Sequence, residues 1–378
     1  MHRRLLSSAA GSTRVWDLGV RLFHWSMVGA VAIALVTGLS GPANWLNVHI
    51  EAGAAIGGLV AFRVLWGFVG STHARFSSFP VGPSAIVADL AGLAGGLRPR
   101  YTGHNPLGSV MALALLAIGT MTAMTGVVTL GGVDKQGPLA FATSYGAGKA
   151  TQGIHQALAY GLLALIAGHL LGVAYEAAHG QPDLIRAMVT GEKAGSVASD
   201  HPAPRKARPI LAALVITLLL AVAAHEVAAL SARPALGVPA SPPDPTYVKE
   251  CGSCHMAYPP SLGTSARWTA LMAGLADHFG EDASLDPALM LSIRAYLINN
   301  SAEKWDTRPS HELAELSPSD PLRLTATAFW IRTHRQIPAA VFKSKAVRVK
   351  GACNACHSDA LTGRFDPQKI EIPARALQ

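Results

Sequence analysis

Two short motifs in the C-terminal third of the chain bring two thiols and an imidazole together, as "CGSCH" and "CNACH". The first copy contains Cys251, Cys254 and His255, and the second contains Cys353, Cys356 and His357. Two cysteines at this spacing, followed at once by a histidine, indicate covalent attachment of c-type haem, with the thiols forming thioethers and the histidine on the iron. Redox disulfides or a zinc site would use the same cysteines, but neither accounts for the histidine in both copies. The sequence therefore predicts two haem c groups, which are attached outside the cytoplasm.

Four histidines in or beside strongly apolar segments form a second set of candidate ligands: His24, His49, His155 and His169. Ionisable residues in such segments are rare and usually functional. The residues from His155 to His169 would span about 21 Å of helix and return to nearly the same helix face. One helix would then carry two imidazoles on one stripe, each near a different surface of a membrane.

The segments that must position these histidines are long and apolar. Half of the 378 residues are hydrophobic and only 14% are charged, whereas soluble domains carry about a quarter charged residues. Five segments reach the roughly 20 apolar residues that a helix needs to cross a bilayer. They lie at about 22–41, 48–70, 107–130, 153–176 and 209–230. The sequence therefore predicts a multi-pass membrane protein in contact with lipid.

The distribution of basic residues predicts the orientation of these spans. Arginine and lysine are concentrated before the first span and in the connections 71–106 and 177–208, which the positive-inside rule places in the cytoplasm. The formal net charge of +8 is spread over these segments and forms no patch for nucleic acid. No cleavable signal pattern precedes the first span, so it is expected to remain as an anchor in the bacterial inner (cytoplasmic) membrane. Five spans then leave the C-terminal part in the periplasm, as haem c attachment also requires.

Matching depth pairs the four membrane histidines. His24 begins the first span on the inner side, level with His169, and His49 begins the second span on the outer side, level with His155. Imidazole is a common haem ligand and helix bundles hold cofactors in their cores. The pattern predicts two haem b groups, the inner one on His24 and His169 and the outer one on His49 and His155. The alternative is that each histidine only forms a hydrogen bond between helices or at the interface.

Several stretches of this region resemble the bacterial cytochrome b561 family, which overlaps with the b-type cytochrome subunits of hydrogenases. They are "RLFHW" in the first span, "VHIEAGAAIGGLVAFRVLWGFVG" in the second, "GHNPLG" before the third, and the His-x13-His spacing of the fourth. The resemblance covers about residues 14–190. It implies four core helices, two haem b groups with the four histidines as ligands, and electron exchange with quinone or with an associated redox subunit.

The C-terminal part resembles the dihaem cytochrome c family over about residues 247–365, through "LMAGLADHFGEDASLD" and "WIRTHRQIPAAVF…ACNACH". This resemblance implies two histidine ligands on each iron, with His278 and His334 as the additional ones. Equal sequence intervals favour His278 with His255 and His334 with His357, and a crossed pairing also fits the sequence. Two histidine ligands favour low reduction potentials, because methionine ligation raises them.

Several further residues could take part in these sites, and a structural role is favoured at most of them. Arg63 and Arg75 could contact haem propionates. His225 and Glu226, near the outer end of the fifth span, could accept protons from a quinol. Met256 directly follows His255 and so cannot reach the other face of the haem that His255 binds. The other candidates are alternative haem ligands whose favoured role is in turns, caps or packing: His104, His311, Met272 and Met290.

The combined prediction is an all-α chain with a transmembrane four-helix haem b bundle, a fifth transmembrane helix and a small, mainly helical dihaem cytochrome c domain. Residues 1–190 form the b-type domain, and 191–231 form a cytoplasmic loop and the fifth helix. Residues 232–246 are a proline-rich linker of semi-rigid type, and 247–378 form the periplasmic domain. The run "GAAIGG" in the second span would permit close helix contact, and so a homodimer.

The predicted function is electron transfer through four haems, between the quinone pool or a membrane donor and a periplasmic cytochrome or redox enzyme. Two alternatives stay open, so enzymatic activity is undecided. Some members of the b561 family react with superoxide, and Lys135 and Lys149 could guide this anion towards a superoxide:quinone oxidoreductase site. An anchor or docking subunit for a periplasmic redox enzyme or small haem protein would have no reaction of its own.

Overall fold

The computed structural model describes residues 12–95, 101–179, 181–194, 205–240, 242–315, 320 and 322–376. Within these ranges, five helices are long and apolar enough to cross a membrane, and they confirm the five predicted spans. The helices are Leu18–Leu39, Ala43–Val69, Pro106–Asp134, Tyr145–His179 and Pro209–Ser231. The fourth helix is 35 residues long, well beyond the apolar segment 153–176, since polar residues in its end turns hide those turns from a hydropathy pattern.

The described chain divides into two compact units, the first of which consists of residues 1–41, 48–126 and 152–226. Its strands β1 (Ser12–Arg14) and β2 (Glu192–Ala194) pair in antiparallel fashion, with Thr13 opposite Lys193. Four of its helices, Leu46–Val69, Pro106–Thr129, Tyr145–His179 and Pro209–Ser231, also contain residues of the second unit. The helices are α1 (Leu18–Leu39), α2 (Leu46–Val69), α3 (Pro83–Gly95), α4 (Pro106–Thr129), α5 (Tyr145–His179), α6 (Leu184–Thr190) and α7 (Pro209–Ser231).

Asp17 joins the beginning of α1 to the end of α2. Its carboxylate accepts a hydrogen bond from the Val20 N–H at 2.9 Å, which satisfies an otherwise unpaired amide of the first helical turn. The same carboxylate accepts from Trp66 Nε1 at 3.0 Å and from the Ser71 hydroxyl at 2.6 Å. A buried cluster surrounds this point and includes Val15, Trp16, Val20, Trp66, Ala74, Ala187 and Ala212.

The middle of the spans has a small core and a large apolar surface. Val31, Ile56, Val60 and Leu162 are buried together between the helices. Most other apolar side chains of the spans are exposed in the isolated chain, as at Leu171, with 71% of its surface exposed. A continuous apolar surface of this extent is typical of lipid-facing helices, so the packing agrees with a membrane protein.

The second unit consists of residues 42–47, 127–151 and 227–378. One buried cluster contains Tyr247, Trp268, Met272, Ile293 and Leu297. A smaller cluster contains Val341, Val347 and Ala376. Met272 is therefore a packing residue, as the helical pattern predicts. The helices of this unit are α8 (Pro245–Cys251), α9 (Ser265–Ala273), α10 (Pro287–Asn299), α11 (Arg308–Glu312), α12 (Ala328–His334) and α13 (Ala339–Lys343).

The third span ends in an unusual turn that belongs to the second unit. α4 continues as a π-helical turn over Leu130–Asp134. Gly132 packs directly on Gly148, since a Cβ at Gly132 would lie 2.6 Å from the Cα of Gly148. Lys135 then takes a left-handed conformation with φ of 54°, which ends the helix. Turns of the π type occur frequently at functional sites.

Candidate haem sites

His49 at the beginning of α2 and His155 in α5 face each other within the first unit. Their ring centroids are 6.1 Å apart, with an angle of 83° between the ring planes. Two metal–imidazole bonds of about 2 Å, together with about 1 Å from each nitrogen to its ring centre, give a separation of about 6 Å. The two rings are therefore spaced to hold one metal ion between them, as two axial ligands hold a haem iron.

Hydrogen bonds on the far side of both rings set the tautomer. His49 Nδ1 lies 3.0 Å from the Ala34 carbonyl oxygen, and His155 Nδ1 lies 2.9 Å from the Thr122 carbonyl oxygen. Because a carbonyl only accepts, each Nδ1 carries the proton, and the neutral ring keeps its lone pair on Nε2. Contacts of this kind orient metal-binding histidines and make them more basic. Both rings are thus prepared to bind a metal through Nε2.

A threonine and the glycine after it support each of these rings, and sequence reasoning missed both pairs. The Thr37 hydroxyl oxygen lies 3.1 Å from His49 Nδ1, and the Thr125 hydroxyl oxygen lies 3.2 Å from His155 Nδ1. Each threonine donates its own proton to a carbonyl one turn earlier in its helix, at 2.7 and 2.8 Å. The hydroxyl oxygens are therefore left to accept from the imidazoles. The sequence signal was the Thr-Gly pair in "LVTG" of the first span and "AMTG" of the third.

The glycines of these pairs make room for the rings. A Cβ at Gly38 would lie 2.8 Å from His49 Cε1, and a Cβ at Gly126 would lie 3.2 Å from His155 Cε1. Nothing lies within 4 Å of a Cβ at Gly29, which is also on α1.

Gly38→Ala is expected to lower the amount of bound haem b, because the methyl group displaces His49 from its position opposite His155. Gly126→Ala should have a smaller effect, since the clash is weaker, and Gly29→Ala should have none. The haem b content per chain, measured in the detergent-purified variants, tests this order. Equal haem b content in the Gly38 and Gly29 variants would contradict it.

His24 in α1 and His169 in α5 are the second pair of histidines predicted in the membrane spans. His24 Nδ1 is buried and has no hydrogen-bond partner among the described residues, and the same holds for Arg21 Nε, one helical turn earlier. Buried polar atoms without a partner indicate that a further group belongs at the site. Arg21 suits the carboxylate of a haem propionate, a role that the sequence did not suggest for this residue.

The two arginines that the sequence suggested for the propionates are used elsewhere. Arg63 is buried, donates to the Ala74 carbonyl oxygen at 3.1 Å and lies over the Phe76 ring at 4.9 Å. Arg75 donates through Nε to the Gly70 carbonyl oxygen at 2.8 Å. Both guanidinium groups therefore stabilise the connection that follows α2.

His104 packs between aromatic rings, as expected of a structural residue. Its ring centroid lies 4.7 Å from Trp16 and 4.5 Å from Phe79. Burial lowers the pKa of His104 to about 3, so the ring stays neutral at physiological pH. His225 and Glu226 are exposed on α7.

The four predicted haem ligands of the C-terminal part form two close pairs. One pair lies in the first half of its sequence and the other in the second half. The ring centroids of His255 and His278 are 6.1 Å apart, and those of His334 and His357 are also 6.1 Å apart. This is the separation found for His49 and His155, and it fits one metal ion between two imidazoles. His334 Nδ1 lies 2.9 Å from a carbonyl oxygen of its own helix α12, at Trp330, which again leaves Nε2 for a metal.

The four cysteines of the two motifs form no disulfide bond. Burial raises the pKa of the Cys251 and Cys353 thiols to about 11, so both stay protonated at neutral pH. Cys254 in the first motif is exposed, whereas His357 in the second has a buried Nδ1 with no partner among the described residues. The second motif is thus the more enclosed of the two.

Of three further polar residues that the sequence singled out, Lys135 has different surroundings from those expected, whereas Lys149 and His311 do not. The Lys135 side chain is only 2% exposed and is paired with Asp306, whereas Lys149 is 50% exposed. The prediction that both lysines guide an anion is therefore wrong for Lys135. His311 is an exposed residue whose Nε2 lies 2.9 Å from Asp306 Oδ1, in agreement with the predicted surface role.

Five apolar spans, imidazole pairs spaced for a haem iron and two Cys-x-x-Cys-His motifs define a bacterial membrane protein that transfers electrons through haem. Residues 15–191 match the family model described as prokaryotic cytochrome b561, and residues 247–365 match the model described as dihaem cytochrome c. The C-terminal part belongs to the dihaem cytochrome c family, and the first part is similar to prokaryotic cytochrome b561. The families imply haem b in the first part and haem c in the second.

Solved structures of dihaem cytochromes are similar to the C-terminal part. The diheme cytochrome type c of Shewanella baltica OS155 is 36% identical, and the match covers 35% of this chain and 96% of that chain with a TM-score of 0.29. DHC purified from Rhodobacter sphaeroides is 39% identical, with 33% and 98% covered and a TM-score of 0.26. The relationship therefore rests on sequence identity. No curated protein matches the chain.

Proposed function

We propose that the protein carries four haems and moves electrons between the quinone pool and a periplasmic cytochrome or redox enzyme. The observation that carries this proposal is the equal separation of 6.1 Å in three imidazole pairs, one in the membrane spans and two beside Cys-x-x-Cys-His motifs. A series of similar haem sites, each with two histidine ligands, would require the same separation between the two rings at every site.

The proposed ligands form four pairs. Haem b is held by His24 with His169 and by His49 with His155, and haem c by His255 with His278 and by His357 with His334. Cys251 and Cys254 bind the first haem c covalently, and Cys353 and Cys356 bind the second. When bound, haem supplies an iron that gains or loses one electron at a potential set by its ligands and surroundings.

The chain itself fixes the ligands and adjusts their basicity. Carbonyl oxygens that accept from Nδ1 of His49, His155 and His334 strengthen the imidazoles as electron donors to a metal. Histidine at both axial positions, rather than methionine at one, also favours low reduction potentials.

The proposed topology has the N-terminus in the cytoplasm and the C-terminal part in the periplasm. It is supported by basic residues before the first span and in the second and fourth connections, and by haem c attachment outside the cytoplasm. Residues 1–190 would be the b-type domain, 191–231 the loop and fifth helix, 232–246 the linker and 247–378 the dihaem domain.

The proposed function predicts equal amounts of haem b and haem c in the purified protein, measured by pyridine haemochrome spectra. Anaerobic quinol should then reduce haem b first and haem c afterwards in stopped-flow absorbance. A matched control, Cys353→Ser with Cys356→Ser, should halve haem c and leave haem b unchanged. Reduction of haem b while both haem c bands stay oxidised would overturn the proposed route.

A further inference from the structure

The connection between the third and fourth spans contacts the C-terminal part of the second unit at several residues, and Asp306 makes the largest number of these contacts described below. Lys135 Nζ donates to Asp306 Oδ2 at 2.8 Å and to the Thr143 carbonyl oxygen at 3.0 Å. The backbone N–H of Tyr145 donates to the same Oδ2, also at 2.8 Å. The end of the third span and the beginning of the fourth therefore converge on one residue of the dihaem part.

The segment that follows the fifth span is held at the same place. The Asp306 N–H donates to the Gly237 carbonyl oxygen at 2.8 Å, and the Leu236 N–H donates to the Ala140 carbonyl oxygen at 2.8 Å. Gly237 has φ of 67°, and a Cβ there would collide with the Cβ of Asp306. The first part of the linker is thus fixed by hydrogen bonds, in contrast to a freely moving tether.

The second haem motif lies next to this contact. Arg364 donates to the Lys135 carbonyl oxygen at 2.9 Å. The residue after it, Phe365, has its ring centroid 5.1 Å from that of His357. A second contact is the hydrogen bond from Gln368 Nε2 to Gln136 Oε1 at 3.1 Å. Lys135 therefore contacts a segment that also packs on the second motif.

Tyr258 connects the first haem c motif to the segment that precedes the second motif. The Tyr258 ring centroid lies 5.2 Å from that of His255, and the Tyr258 hydroxyl donates to the Gly351 carbonyl oxygen at 2.7 Å. Gly351 precedes Cys353 of the second motif by two positions. The contacts thus run from the connection to the second motif and from there to the first.

We propose that Lys135 and Asp306 are positioning residues, which hold the dihaem part in one pose on the 127–151 connection with the second motif as the site of electron exchange on the membrane side. The inference rests on the proposed function and adds the order in which electrons pass through the two haem c groups. Electrons pass between the spans and the second haem c, and between the first haem c and the soluble partner.

The burial of Lys135 explains why one pose is selected. A buried ammonium group without its carboxylate is strongly unfavourable, so any pose that separates Lys135 from Asp306 is disfavoured. Burial acts to raise the pKa of Asp306, but the hydrogen bonds from Lys135, the Tyr145 N–H and His311 outweigh it and keep this pKa below its usual range. The carboxylate is therefore charged at neutral pH and available to the lysine.

Lys135→Met is expected to release the dihaem part. Hydrogen exchange of the Leu236, Tyr145 and Asp306 amides, followed by mass spectrometry, should become at least tenfold faster. In stopped-flow reduction by quinol, haem c should be reduced at least tenfold more slowly, while the rate of haem b reduction and the haem c potentials stay unchanged. Lys135→Arg should restore much of both the amide protection and the haem c rate.

Lys149→Met is the matched control, because this lysine is on the same connection but is half exposed and 3.8 Å from Glu312. Exposed ion pairs of this kind contribute little to stability. Amide hydrogen exchange and the rate of haem c reduction should therefore match those of the unsubstituted protein. Faster exchange and slower haem c reduction in Lys135→Met alone would support the inference. Unchanged exchange and rates in that variant would overturn it, provided that the unsubstituted protein passes electrons to haem c. If the unsubstituted protein does not, the proposed function itself fails.

The order of the two haem c groups has its own test. Without the second haem c, in Cys353→Ser with Cys356→Ser, quinol should reduce the first haem c at least tenfold more slowly. Without the first, in Cys251→Ser with Cys254→Ser, the second should be reduced at its normal rate. Normal reduction of the first haem c in the absence of the second would overturn the order.

Discussion

His155→Ala is expected to remove the outer haem b and to stop electrons from reaching haem c. The imidazole at position 155 lies 6.1 Å from that of His49 and, on the proposed assignment, provides one of two axial ligands. Alanine leaves only one ligand, His49, on that haem. The haem b to haem c ratio should fall from 1:1 to about 1:2 if one of the two proposed haem b groups is lost.

The measurements for His155→Ala are pyridine haemochrome spectra, a redox titration and stopped-flow reduction by quinol. The titration should lose one of two haem b components. Haem c reduction should slow by about 100-fold or more, where each tenfold decrease in rate corresponds to about 1.36 kcal/mol of activation free energy. His169→Ala should instead remove the inner component and keep the outer one. Retention of both haem b groups in either variant would rule out the assignment.

A matched control for both variants is His179→Ala. His179 is on the same helix, α5, and its Nδ1 lies 2.8 Å from the Tyr175 carbonyl oxygen, so it resembles the proposed ligands in local hydrogen bonding. It is exposed at the end of the helix, and its ring neighbour is Tyr175 at 4.6 Å and not another imidazole. Normal haem b content in this variant would show that the losses come from ligation.

The features that the sequence predicted well are those with a local signal. The spans follow from runs of apolar residues, and both haem c motifs are contiguous. The pairing of His49 with His155 was predicted from their matching depth in a bilayer. The thickness of the membrane, and not a local sequence pattern, provides that information. α3 and the β1–β2 pair were not predicted. α3 has only 13 residues, too few for the signal of a membrane span, and each strand is three residues long.

The features that the sequence did not predict depend on distant partners. Thr125 and His155 are 30 residues apart, and Lys135 and Asp306 are 171 residues apart. A lysine in a short connection between spans has the pattern of a solvated residue, and its burial depends on the carboxylate of Asp306 from the C-terminal part. The Thr-Gly pairs likewise have no meaning until a helix from elsewhere places an imidazole against them.

The second large effect is expected at the distal ligands of haem c, where the structure favours pairing within each half. His278→Ala should leave the first haem c with His255 alone and make its iron high-spin. His334→Ala should do the same to the second haem c, whose proximal ligand is His357. Each separation of 6.1 Å joins residues of one half, so the two variants should affect different haems.

A chain with one haem c distinguishes this pairing from the crossed one. In the background Cys353→Ser with Cys356→Ser, only the first haem c is attached. His278→Ala should then convert the remaining haem c signal to high spin in electron paramagnetic resonance, and His334→Ala should leave it low-spin. The potential of that haem should also rise by about 0.1 V or more in His278→Met, since axial ligands change haem potentials over about 0.8 V. A high-spin signal from His334→Ala and none from His278→Ala would establish the crossed pairing instead, because a distal histidine acts only on the iron that it ligates.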